Sequence, residues 1–160
     1  MIMMNQLKKE ILNHQQNSID FVRSLVNLSE KEWRTPIEEG KWSIAEIVAH
    51  FKPWDEFITN QRIPFLITNQ SLPNSPNVDE LNKESALFAR KESKQTIINN
   101  FVKARTELYE ATKEISDEWW EKTIIIKATT LSLYDYFNGL AQHDSHHSEQ
   151  IKQYVEKNLN

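Results

Sequence analysis

Four stretches of this chain repeat apolar residues at intervals of three and four, a period that lets each stretch bury one face of an α-helix. From about Asn5 to Asn27 those positions are Leu7, Ile11, Val22, Leu25 and Val26, set among Lys, Glu, Gln and Asn. The second stretch begins at Ser43, where Ser43-Ile44-Ala45-Glu46 has the form of a capping box. In such a box the serine oxygen accepts from the third helical amide and the glutamate reaches back to the cap. Its apolar face is Ile44, Ile47, Val48, Phe51, Trp54 and Ile58. The third stretch, about Glu92 to Ile115, aligns Ile97, Phe101, Ala104, Leu108 and Ile115. The fourth, about Ser132 to Lys157, opens on Ser132-Leu133-Tyr134-Asp135, a second box of the same type. Four such segments predict an all-α protein, a four-helix bundle.

Only two glycines and five prolines among 160 residues argue further against a turn-rich β architecture, and this length fits one domain spanning residues 1–160. Pro53 lies inside the second helical pattern, where it removes a ladder hydrogen bond, so a kink or a stop is expected there. Asn69 to Asn82, dense in Pro, Ser and Asn, reads as one long connection of the kind that often forms a functional lid. The β-branched run Thr123 to Thr129 is predicted to be short and extended, able to pair with another connection without changing the fold class.

A formal charge of −4, with both signs mixed along the chain, offers no cationic stripe for DNA or RNA. The absence of cysteine removes disulfides, thiolate ligands and a cysteine nucleophile together, so thiol chemistry would need a thiol cosubstrate. The N-terminal MIMMNQLKKEIL does not have the form of a signal peptide, and no run of about 18 apolar residues occurs. A cytoplasmic protein acting on a small molecule, without a membrane partner, is the expectation.

Three of the five histidines fall in the segment HDSHHSEQI, from His143 to Ile151. Turning about 100° per residue places His143 and His147 in the apolar sector of Leu133, Tyr136, Phe137, Leu140, Ile151 and Tyr154, and leaves His146 outside it. On the second helix His50 sits between Ile47 and Trp54, where a plain bundle would carry Leu. Three imidazoles are thus expected to point toward the core. Burying an unpartnered polar group costs about 1–3 kcal/mol, so something must satisfy them. A divalent metal does this well, because residues four apart on one helix can chelate an ion while a facing helix supplies the third nitrogen. Three ligands leave a coordination position open, as catalytic sites do, and imidazole suits Zn, Ni, Fe or Cu. The plainer reading is that these histidines bond to one another, to Asp144 or to water. Asp144 comes out near the line of Leu140 and Ile151. It could orient a ligating histidine or accept a proton, or equally accept an N–H that holds the helices together. His14, beside Ile11, reads as a core histidine bonded to a neighbour, and Trp54 as a pocket wall.

The HExxH pattern of zinc peptidases fails, since Asp144 holds the glutamate's slot, and no G-x-S-x-G or Gly-rich phosphate loop is present. The block Glu39-Gly40-Lys41-Trp42-Ser43-Ile44-Ala45-Glu46-Ile47-Val48-Ala49-His50, followed by His143-x-x-x-His147 and Gln150-Ile151, resembles the DinB/YfiT-like family of metalloenzymes over nearly the whole chain. That resemblance implies an up-down-down-up bundle with one long crossover connection and a divalent ion, zinc or nickel, held by His50, His143 and His147. It also implies dimers through helix faces. The family's activities include transfer and isomerisation with low-molecular-weight thiols and metal-dependent hydrolysis, alongside stress-induced members. Ser148-Glu149 depart from the family's usual basic residue and glycine, which bears on the pocket rim rather than the ligands. Three readings follow: a metal-dependent enzyme activating a small thiol or a water, a metal or ligand-binding stress-response protein without catalysis, and a bundle whose histidines serve packing alone.

Overall fold

Each long helix begins at a side chain that satisfies its first amides, a contribution of about 1 kcal/mol per cap. Residues 5–68 and 71–159 are described in a computed structural model of the protein; residues 1–4, Asn69 and Gln70 of the predicted connection, and Asn160 lie outside the described residues. Asn5 accepts from the amides of Leu7 and Lys8 and opens α1 (Gln6–Ser24). A 3₁₀ turn leads to the short α2 (Glu30–Arg34), and Ser43 and Glu46 complete both halves of the predicted box at the start of α3 (Ile44–Phe57).

Pro53 does not stop this helix. The chain continues through it to Phe57, takes a π-helical turn over Ile58–Arg62, and ends in α4 (Ile63–Leu66). Burial of Ile58, Ile63 and Leu66 beyond the proline offsets the one hydrogen bond it removes.

The long connection is also shorter than predicted, because the chain is already helical at Val78 in α5 (Val78–Lys91). Asn77 caps it through the Glu80 amide, with Asp79 and Glu80 in the first turn and Arg90 and Lys91 in the last, the charge order that suits the helix dipole. α5 returns antiparallel along α3. Trp54 Nε1 donates to Asn82 Oδ1 at 2.9 Å near one end, and Arg90 Nη2 meets Glu46 Oε2 at 3.1 Å near the other. α6 (Lys94–Lys113) then starts from Ser93, which accepts from the Thr96 amide.

The predicted extended run is one arm of a hairpin: β1 (Thr123–Ile126) pairs antiparallel with β2 (Thr129–Ser132), Ile126 facing Thr129. Lys127 turns the chain at φ 55°. Beyond it, Ser132 Oγ accepts from the Asp135 amide and α7 (Leu133–Leu159) begins.

Two apolar clusters set the topology. One gathers Ile19 and Val22 of α1, Ile44 to Phe51 of α3, Ile97 to Phe101 of α6 and Ile151 of α7. The other gathers Ile11 of α1, Ile58 and Ile63 beyond α3, Leu108 of α6, and Leu133 and Phe137 of α7. Chain direction runs from the second cluster to the first in α1 and α7, and from the first to the second in α3 and α6. The bundle is therefore up-down-down-up, and the parallel pair α3 and α6 requires the crossover that α5 supplies. Between the clusters the helices carry polar residues instead, and the candidate site lies in that layer. No described helix is long and apolar enough to cross a membrane.

Candidate metal centre and its polar layer

His50, His143 and His147 each offer a ligand atom within 4.8 Å of the other two. Their rings are close as well, with centroids 5.9 Å apart for His50 and His143, 4.8 Å for His50 and His147, and 4.7 Å for His143 and His147. His50 comes from α3 and the other two from successive turns of α7, as the rotation argument requires.

The burial is not what the rotation argument predicts. His50 is 2% exposed, but His147 is half-buried and His143 is exposed. α7 packs chiefly on α1, whereas α3 packs on α5 and α6, so the α7 histidines face a gap rather than a tightly packed helix. His146 is exposed, as expected from its angle.

Two of the imidazoles are oriented from behind. His50 Nδ1 donates to the Ile47 carbonyl at 2.5 Å, and His147 Nδ1 donates to Gln150 Oε1 at 3.0 Å. Both bonds fix the proton on Nδ1 and leave Nε2 with its lone pair, the arrangement that metal-ligating histidines adopt. Burial holds the pKa of His50 down to about 4 and also lowers that of His147, with the neighbouring histidines adding to the effect. A neutral imidazole is the form that can bind a cation. Trp42 and Phe51 flank His50, at 5.1 and 4.4 Å between centroids.

Asp144 makes its bonds elsewhere. Its Oδ2 accepts from Arg105 Nη1 at 2.7 Å and from His14 Nε2 at 2.9 Å. Arg105, 2% exposed, also grips Asp55 through Nε at 2.7 Å and Nη2 at 3.0 Å, and donates to Ser18 Oγ at 3.0 Å. One guanidinium thereby joins α6 to α1, α3 and α7. It also lies over the rings of Phe101 and Phe51, at 4.9 and 5.4 Å. Burial raises the Asp55 pKa to about 6, a rise that Arg105 only partly offsets. Asp144 is burdened by burial too, but Arg105 and His14 outweigh it and its pKa is lowered. Burial likewise opposes the charge of Arg105, and the two carboxylates more than compensate, raising its pKa.

Arg105, Asp55 and Gln15 did not stand out in the sequence. Arg105 interrupts the third apolar stripe between Phe101 and Leu108, and Asp55 interrupts the second between Phe51 and Ile58. A charge inside an apolar stripe was the signal that could have found both.

Beside the cluster opens a cavity of about 270 Å³. His50, His143 and Asp144 stand on its wall, as do His14, Gln15 and Arg105, with Phe51, Leu108, Phe137 and Leu140 among its apolar residues. Trp54 lines it as predicted, and Val78 and Asn82 bring the start of α5 over it. Only the last part of the predicted connection, Val78 to Asn82, is helical, and residues 71–77 remain a loop.

The sequence profile of the DinB superfamily matches residues 14–151. Among solved structures, YfiT from Bacillus subtilis, a probable metal-dependent hydrolase with an unusual four-helix bundle topology, is similar with a TM-score of 0.78 at 11% identity. That likeness covers 98% of this chain and 90% of YfiT. The mycothiol-dependent maleylpyruvate isomerase is similar with a TM-score of 0.68 at 17% identity, over 90% of this chain and 60% of the isomerase. A histidine-to-alanine mutant of that isomerase gives the same TM-score and coverage at 16% identity. Likenesses at such low identity establish the fold. No curated protein matches the sequence at a significant level.

Proposed function

The chain belongs to the DinB superfamily, and from that premise we propose that it is a metal-dependent enzyme whose His50, His143 and His147 hold one divalent ion, zinc or nickel. The observation that carries this reading is the convergence of three ligand atoms within 4.8 Å, with His50 and His147 oriented through Nδ1. The donor set fits: three neutral imidazoles suit zinc or nickel and leave a coordination position open. Such an ion, when bound, supplies Lewis acidity that lowers the pKa of a small thiol or a water.

The protein's residues do the rest. The exposed His143 gives solvent access to the site, and the cavity beside it receives the small-molecule substrate. The chain has no cysteine, so a sulfur nucleophile comes from a low-molecular-weight thiol cosubstrate. Asp144, adjacent in sequence to His143 and fixed by Arg105 and His14, anchors the turn of α7 that presents the ligand. Its charge also raises the pKa of both His50 and His147, a smaller effect than burial.

Elemental analysis of the purified protein, followed by a screen of low-molecular-weight thiols with electrophiles and of ester and amide substrates, tests the proposal. One equivalent of metal and metal-dependent turnover in either arm is the expected result. No stoichiometric metal, or no loss of metal in His143→Ala, overturns the site. Full metal loading with no turnover in either arm favours a binding protein instead.

A further inference from the structure

Gln15 is 4% exposed, lines the cavity, and carries a buried side-chain oxygen that no group among the described residues satisfies. Which way round its amide lies follows from its neighbour. Thr112 Oγ1 spends its one proton on the Leu108 carbonyl at 2.7 Å, so it can only accept from Gln15. Gln15 Nε2 supplies that bond at 3.2 Å, and Oε1 is left as an acceptor. Leaving a buried acceptor unmatched costs about 1–3 kcal/mol, and such groups in folded proteins call for a partner.

Apart from His50 and His143, which belong to the candidate metal centre, the other strong polar groups of the wall are engaged with one another. Arg105 bonds Asp55, Asp144 and Ser18; Asp144 also bonds His14; and Trp54 bonds Asn82. Apolar side chains flank Gln15: Ile11 precedes it by one turn on α1, and Leu108 precedes Thr112 by one turn on α6. An apolar cavity of about 150 Å³ holds benzene, and this one is larger at about 270 Å³.

We propose that the α1 and α6 wall of this cavity is a recognition subsite for a ring-sized or short-chain apolar group bearing a hydrogen-bond donor, an O–H or N–H directed at Gln15 Oε1. This deepens the functional reading above, since the cavity adjoins the three imidazoles. Gln15 selects donor-bearing ligands over isosteric ones without a donor, because only the former satisfy the buried oxygen.

The test uses metal-free full-length protein, with phenol and toluene as an isosteric pair differing in one donor. Calorimetric titration of wild type and Gln15→Met gives the phenol-to-toluene affinity ratio in each. The ratio is expected to be at least about fivefold higher in wild type, the effect of one net hydrogen bond. Thermal melts confirm that the variant is folded. Should it not fold, a crystal structure of wild type soaked in phenol decides, the expected result being the hydroxyl within hydrogen-bond distance of Gln15 Oε1. Equal ratios, a hydroxyl bonded elsewhere, or no binding of either probe overturns the proposal. Metal content is measured separately, so a failure at Gln15 is distinct from a failure at the imidazoles.

Discussion

Arg105 Nη1 lies 2.7 Å from Oδ2 of Asp144, the residue that follows His143 on α7. The same guanidinium is held by Asp55 on α3, the helix that carries His50. One buried cation therefore links both helices of the histidine cluster through their neighbouring residues, and it does so at the level where the two apolar clusters leave a gap.

Removing that cation should be costly. Arg105→Met leaves Asp55 and Asp144 facing each other without a counter-charge, and breaking a buried pair in this way costs about 3–5 kcal/mol. Urea denaturation should show a loss of that size, with part of it recovered when Asp55→Leu is added. A loss below about 1 kcal/mol would mean that the network adds little to stability.

Gln150 should matter to the metal and little to the fold. In Gln150→Leu, His147 Nδ1 loses its acceptor at 3.0 Å, and loss of such a supporting bond weakens metal affinity about 10–100-fold. Competition against a chelator of known affinity measures this. An unchanged dissociation constant would show that the glutamine does not orient the ligand.

The histidines of HDSHHSEQI should behave unequally. Zinc at about 100 times its dissociation constant stabilises a protein by about 2.7 kcal/mol, so added zinc should raise the melting temperature of wild type and His146→Ala. His143→Ala should show little of that rise. Equal responses from all three proteins would place the ion elsewhere.

Acid should destabilise the metal-free protein through His50. Its folded pKa is about 4, below the ordinary 6.5. As pH falls from 6.5 toward 4, the unfolded chain takes up a proton that the folded one refuses, so stability drops, by on the order of 3 kcal/mol at 1.36 kcal/mol per unit. Asp55 acts in the opposite sense. Its folded pKa is about 6, above the ordinary 3.8, so over the lower part of that window the folded state binds the proton first and gains stability. Unfolding free energies measured from pH 7 to 4 should therefore fall less steeply in His50→Leu than in wild type, and more steeply in Asp55→Asn. Parallel curves for the three proteins would contradict both assignments.

The bundle and the histidine trio were legible because each rests on local periodicity. Ser43-x-x-Glu46 marks a helix start wherever it stands, and the spacing of His143 and His147 puts them on adjacent turns whatever packs against them. α5 was missed although Asn77-x-x-Glu80 carries the same kind of cap, because the Pro, Ser and Asn before it mask where the loop ends. Of the kink or stop expected at Pro53, the stop does not occur, since the cost of one lost hydrogen bond is local while the burial of Ile58, Ile63 and Leu66 that offsets it is not.

By itself the sequence determined which segments are helical, which faces are apolar and which three imidazoles can meet. Only the tertiary structure decided that His143 stands exposed at a cavity, that Asp144 belongs to Arg105 and His14, and that Gln15 keeps an unmatched acceptor. The reason is physical: helix period fixes the angle of a side chain about its own axis, but burial and partnership depend on the distance between helices. Arg105 is 50 residues from Asp55 and 39 from Asp144, and no local pattern encodes that approach.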